Sequence, residues 1–236
     1  MKSNIHYAII SHLRPENVEK MEEITGIPEK LNWYVGKDEA KDYADAKGTV
    51  TESGNLVDSR NSALREANAE SKYCMMLDDD LASISMFNAI TTCELSFANL
   101  AKEMYKILQS LPLYVAGVSA TGNHFYFDPL KPISIKHFII ASCMLTKYPS
   151  EIFFDAQFKT KEDYDFTLQH IKKYGGVARI NYLAPRFQHY TNKGGVVEYR
   201  TNEIEQDSIT KLKRKWGDTI RPNTRRGPNE ILLKIN

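Results

Sequence analysis

Apolar residues along this chain fall into short unbroken runs separated by longer segments of helical rhythm. "IHYAII" (5–10), "LNWYVG" (31–36) and "YCMML" (73–77) are short, apolar and rich in β-branched or aromatic residues, which predicts buried strands. "LYVAGVSA" (113–120), "HFIIASCMLTK" (137–147) and "VARINYLAP" (177–185) predict three more, the last as one strand. Between them, "HLRPENVEKMEEITG" (12–26) predicts a loop and a helix, with Pro15 near its first turn and Gly26 past its end. "SRNSALREANAE" (59–70) predicts a helix capped by Asp58 or Ser59, with Ala63, Leu64 and Ala67 inward. The stretch 84–111 contains a long amphipathic helix with Phe97, Leu100, Met104, Ile107 and Leu111 on one face. "TKEDYDFTLQHIKKYGG" (160–176) has acids in its first turn, lysines in its last and a Gly175-Gly176 stop, all marks of a helix. The tail from residue 204 predicts a basic helix followed by coil.

Strands alternate with helices through the first half, which predicts an α/β sandwich with a mostly parallel central sheet flanked by helices. The 236 residues contain no internal repeat and no low-complexity linker. The division is one main domain over 1–203 and a basic extension over 204–236. The formal net charge is +1, so no global field draws the chain to nucleic acid, and any such attraction is local. Cys74, Cys93 and Cys143 lie in apolar surroundings without metal-type spacing, which predicts reduced, buried thiols and a reducing compartment. The N-terminal apolar stretch is too short for a signal peptide or a membrane span, so a cytoplasmic location is expected.

The chemistry begins at "KYCMMLDDDLAS" (72–83), where a buried strand runs into three carboxylates. Like charges side by side need compensation: either water solvates Asp78, Asp79 and Asp80, or a cation binds them. Open α/β sheets bind ligands beyond the carboxyl ends of their strands, and this triplet lies at such an end. Residues two apart in extended chain share a side, so Asp78 and Asp80 can hold a hard divalent cation, with Asp79 facing elsewhere.

Other polar residues stand at comparable points. Arg60 lies near a helix start, as an exposed arginine or as part of a diphosphate site. His189 in "RFQHYTNKGG" is either a loop histidine or a further metal ligand. Beside it, Lys193 with Gly194 and Gly195 is either a plain turn or a diphosphate clamp. Glu162 and Asp163 either stabilise a helix terminus or work on a proton. His12 and Arg14 after the first strand, and Glu39 after the second, are polar candidates for ligand binding at the strand ends.

In order and spacing, "LVDSRNSALREANAESKYCMMLDDD" and "IFFDAQFKTKEDYDFTLQHIKKYGG" resemble glycosyltransferases of the GT-A fold over residues 5 to 195. Those enzymes carry an Asp-x-Asp motif after a central strand, an Arg-Asn pair opening the preceding helix, and a Glu-Asp motif at the acceptor site. The resemblance implies a nucleotide-sugar donor, a UDP-sugar, and Mn²⁺ or Mg²⁺. It implies Asp80 as a direct metal ligand, Asp78 on the metal or the donor sugar, Asp79 in either role, and His189 as a further ligand. It also implies Asp163 as general base, with Glu162 beside it, and an inverting single displacement. A nucleotidyltransferase of similar fold would begin with a glycine-rich loop after the first strand, and "IISHLRPEN" has no glycine.

Within that group the chain resembles small bacteriophage enzymes that glycosylate hydroxymethylated pyrimidines in DNA, including those associated with TET-like oxygenases and the phage arabinosyltransferases. The resemblance implies duplex DNA as acceptor. The tail fits it: Lys211, Lys213, Arg214, Lys215, Arg221, Arg225 and Arg226 fall close together, with Asp218 as the acid among them. Trp216 either stacks on a base or anchors the tail. No protein partner and no membrane are implied.

Overall fold

The computed structural model describes residues 4–88, 90–120, 122–188 and 200–235. The chain opens with β1 (Ile5–Ile10), α1 (Val18–Thr25), β2 (Leu31–Val35), β3 (Thr49–Glu52), α2 (Leu56–Ala69) and β4 (Tyr73–Asp78). It continues through β5 (Leu81–Phe87), β6 (Thr92–Glu94), α3 (Phe97–Ser110), β7 (Val115–Val118), β8 (Ile133–Ser134) and β9 (Ile140–Thr146). It closes with α4 (Glu162–Tyr174), β10 (Ala178–Ile180), β11 (Leu183–Phe187), α5 (Asn202–Trp216), β12 (Ile220–Pro222) and β13 (Ile231–Leu233).

Eight strands form the main sheet in the order β3-β2-β1-β4-β9-β7-β10-β8. Their pairings are parallel except where β9 and β8 run against their neighbours, so six of the eight strands point one way. This is the expected mixed α/β sandwich with a mostly parallel central sheet flanked by helices.

Alternation along each strand divides the core in two. Ile9, Trp33, Val35, Met75 and Leu77 face α1 and α3 in one cluster, with Met21, Leu100, Met104 and Leu108. Ala8, Ile10, Tyr34, Cys74 and Met76 face the other way, onto Ala63, Leu64 and Ala67 of α2 and Phe166 of α4. Strands buried on both faces read as continuous apolar runs, which is why β1, β2 and β4 stand out in the sequence. A third cluster joins Phe158 and Leu168 to Ile209, Leu212, Ile220 and Ile231, so the C-terminal segment packs on α4.

Several expectations are corrected. The helix expected within 84–111 is present as α3, while the residues before it form strands that were not expected, β5 and then β6, in a three-stranded sheet ordered β11-β5-β6. Leu81, Ile84 and Phe87 are buried at a spacing of three, which suits a helix as well as a twisted strand, and pairing with β11 decides it. The run 177–185 is two strands in two sheets, divided at Asn181 and Tyr182. Strand β3 was not anticipated, being polar and partly exposed. The coil after the basic helix contains the hairpin β12–β13.

The α2 cap is Asn55 rather than Asp58 or Ser59: its side chain accepts from the N–H of Val57 and Asp58, and Asp58 accepts the Asn55 N–H in return. Cys74 and Cys143 are buried as expected, but Cys93 is exposed on β6. Among the described residues no helix is long and apolar enough to cross a membrane.

Asn61, the buried neighbour of Arg60, pins the segment after β9. Its Nδ2 donates to the Phe154 carbonyl at 2.9 Å and its Oδ1 accepts the Phe154 N–H at 2.8 Å. Asn61→Ala strands both backbone groups and is expected to cost about 3 kcal/mol. A urea titration should show a lower midpoint at unchanged slope, whereas an unmoved midpoint would mean that water replaces the amide.

Candidate active site

The parallel strands bring their carboxyl ends to one edge, where Ser11 follows β1, Gly36 follows β2 and Asp78 ends β4. Antiparallel β9 begins at the same edge, and α2 and α4 point their N-termini towards it. Together they line a cleft of about 850 Å³.

Alternation holds only to Asp78, the last residue of β4; Asp79 and Asp80 form the turn into β5. The three carboxylates therefore part company. Asp78 is half-buried and its Oδ1 accepts from Arg60 Nη2 at 3.0 Å. Asp79 is buried, accepting from Ser11 Oγ at 2.5 Å and from Arg14 Nη1 at 3.0 Å. The same Arg14 nitrogen lies 3.7 Å from Asp80 Oδ2. Burial pushes the Asp79 carboxyl up to about 7, with Ser11 and Arg14 opposing the rise.

Arg60 is not exposed: it lies 3% accessible beneath the cleft floor. Besides Asp78 it donates to the Ala141 carbonyl at 3.0 Å, and its Nε stands 3.4 Å from Glu162 Oε1. Burial works against its charge, and Asp78, Glu162 and Asp163 more than restore it. One guanidinium thus ties β4, β9 and α4 together.

His12 Nδ1 pairs with Glu39 Oε1, and Glu39 Oε2 accepts the Leu13 N–H at 2.9 Å. The pair sits against Gly36, where an added Cβ would come within 2.0 Å of Glu39 Oε1 and 2.7 Å of His12 Nδ1. A glycine is required there by this close approach.

Opposite the triplet, α4 opens with Glu162 and Asp163. Burial and then the neighbouring Glu162 push the Asp163 carboxyl up to about 7. Burial also raises Glu162, with Arg60 opposing. A carboxylate poised near neutrality in a cleft suits proton transfer.

His12, Arg14, Glu39, Arg60, Asp78, Asp79, Asp80, Glu162 and Asp163 all line this one cleft. His189, Lys193, Gly194 and Gly195 lie outside the described residues. Sequence reasoning passed over Ser11, Lys161, Arg200 and Glu230, and it counted Arg226 only as part of a basic tail. The position of Ser11 directly after a buried strand was a usable signal; the other four reach the cleft only through the fold.

Among the described residues no three His, Cys, Asp or Glu side chains gather as a metal site. Mg²⁺ and Mn²⁺ are commonly held by one or two carboxylates, with water and substrate phosphate completing the shell. Asp78 and Asp80, oxygen donors lining an open cleft, fit that mode.

Fold and cleft together define a mixed α/β sandwich with a mostly parallel central sheet and an acid-rich site at the carboxyl edge of that sheet. No family model matches the chain. No curated protein matches it either. A solved structure that it resembles is a candidate glucose-1-phosphate thymidylyltransferase from Bacillus anthracis, in complex with sucrose. The TM-score is 0.31 at 7% identity, over 88% of this chain and 83% of that one. A likeness of that size bears on neither reaction nor substrate.

The raised Asp163 fixes the sign of a pH effect. An acid that binds its proton more tightly when folded favours the folded state fully below the ordinary carboxylate range, and loses that contribution as pH climbs through about 7. Asp163→Asn keeps the shape and stays neutral. Its Tm should match the wild type at pH 4 and exceed it at pH 8. Equal differences at both pH values would show that Asp163 ionises as freely as in the unfolded chain.

Proposed function

We propose that the protein is a metal-dependent glycosyltransferase that moves one sugar from a UDP-sugar to a hydroxyl acceptor, with inversion. The observation that carries this reading is the single cleft shared by the acidic triplet, two buried arginines and the Glu162–Asp163 pair. Asp163 takes the proton of the acceptor hydroxyl. The acceptor oxygen forms its bond to the anomeric carbon while the bond from that carbon to the diphosphate oxygen breaks, and the electron pair leaves with the diphosphate. Asp78 and Asp80 would hold a Mn²⁺ or Mg²⁺ ion, which would supply positive charge for that leaving group when bound. Arg60 keeps Asp78 and Glu162 at their stations on opposite walls. His12, Arg14 and Glu39 line the donor end.

Thermal shift with UDP and Mn²⁺ tests the donor half. A ligand at a hundredfold excess over its Kd stabilises by roughly 2.7 kcal/mol. The shift should vanish in chelator and in folded Asp80→Ala. It should persist in Asp163→Asn, whose turnover falls by about 10² to 10⁴. No shift with any nucleoside diphosphate would reject the donor assignment.

For the acceptor we propose duplex DNA carrying a hydroxymethylated pyrimidine. The tail cations divide into two sets. Lys211 pairs with Asp207, Lys215 with Asp155 and Asp165, and Arg221 with Asp218. Lys213, Arg214, Arg225 and Arg226 make no ion pair among the described residues, and Arg226 lines the cleft. Trp216 is an anchor: its Nε1 donates to Asp165 Oδ1 at 2.7 Å. Reversing Arg214 and Arg225, which lie outside the cleft lining, to glutamate should weaken DNA binding and flatten its salt dependence, leaving donor hydrolysis intact. Equal transfer to free nucleoside and to DNA, without salt sensitivity, would exclude a polymer acceptor.

A further inference from the structure

The turn that presents Glu162 and Asp163 has a local weakness. Lys161, at the N-cap of α4, has φ +60°, and no side chain caps the helix there. The left-handed conformation costs a non-glycine residue about 1 kcal/mol, so contacts elsewhere must secure it. They come from α5. The Lys161 side chain is 5% exposed, and its Nζ meets Glu205 Oε2 at 2.7 Å. Arg200 Nε approaches the other Glu205 oxygen at 2.6 Å. One turn along α5, the buried Ser208 accepts the Thr160 hydroxyl at 3.0 Å. Both residues immediately before Glu162 are therefore gripped by the C-terminal helix.

This grip has an electrostatic side. Asp163 feels Glu162 beside it, Arg60 from α2 and Lys161. Next to it, Tyr164 feels Arg226 and Glu230 from the β12–β13 loop, and Glu205 from α5. Two cations converge on Glu205, and without it Lys161 would be a buried ammonium whose remaining acidic neighbours are those of the cleft.

We propose that Glu205 is a positioning residue: by holding Lys161 it fixes the turn that carries Glu162 and Asp163 and offsets part of the lysine's charge on the carboxylate. The C-terminal segment is then a working part of the cleft. The role assigned to Asp163 rests on the glycosyl-transfer reading; the contact that positions it does not.

The test follows the Asp163 carboxyl by ¹³C NMR in the full chain without substrate, its signal assigned by loss in Asp163→Asn. In Glu205→Gln the titration midpoint should fall by about one pH unit, as expected for a cation newly released near a carboxylate. In Lys161→Met combined with Glu205→Leu it should rise, because the cation is gone; such apolar pair replacements commonly fold even where a half-broken ion pair does not. If Glu205→Gln fails to fold, the double variant decides. An unmoved midpoint in a folded variant overturns the proposal. With UDP-sugar and acceptor, Glu205→Gln should lower kcat about tenfold or more through misplacement of the base, with donor KM within about twofold, and Glu205→Asp should recover part of the loss. Unchanged kcat in folded Glu205→Gln overturns the positioning role. Shifted midpoints in a protein without sugar transfer would reject the glycosyl-transfer reading and leave the positioning contact standing.

Discussion

The structure turns on how three consecutive carboxylates are accommodated where a buried strand ends. Asp79 and Asp80 are each 2% exposed, so bulk water does not solvate them. Buried carboxylates require charged or hydrogen-bonding partners. Arg14 reaches Asp79 and Asp80 from the loop after β1, and Arg60 reaches Asp78 from α2. Removing either guanidinium would leave acids uncompensated in a dry setting, which costs more than the pairing contributes.

That constraint fixes the surrounding architecture. Arg60 also bonds the Ala141 carbonyl and approaches Glu162, so the acids of β4 and α4 share one cation. Arg14 is held in turn, its backbone N–H donating to the Tyr43 hydroxyl, which also bonds Ser11. The result is a floor of alternating charge with little freedom to rearrange. Such preorganisation is what a site needs if it is to meet a charged leaving group without reorganising.

The C-terminal segment belongs to the same system. Its apolar residues pack on α4, Trp216 and Lys215 both bond Asp165, and Glu205 grips the residue before Glu162. Three of the seven cations in what reads as a basic nucleic-acid tail are thus paired with acids of this chain. Lys211, Lys215 and Arg221 serve the fold or their near neighbours. Lys213, Arg214, Arg225 and Arg226 are left to face outward or into the cleft.

Much of the fold was written in local pattern. A strand buried on both faces must be apolar throughout, and a helix on a sheet must be apolar on one stripe, so β1, β2, β4, α3 and α4 are visible without coordinates. The strand-end rule and the acids past β4 likewise point to the site, and every candidate residue within the described segments lines it. Strand order, the transfer of Leu81–Phe87 to a second sheet and the division at Asn181 were not visible, because pairing between distant segments leaves no periodic trace in either one. The charge partners were hidden for the same reason. Ser11 and Arg14 meet Asp79 across 68 and 65 residues, and Glu205 meets Lys161 from a helix that sequence reads only as basic. Sequence alone determined which residues must be buried and which carboxylates need a cation; only the tertiary structure decided which cation each one received, because that depends on distances that local composition does not encode.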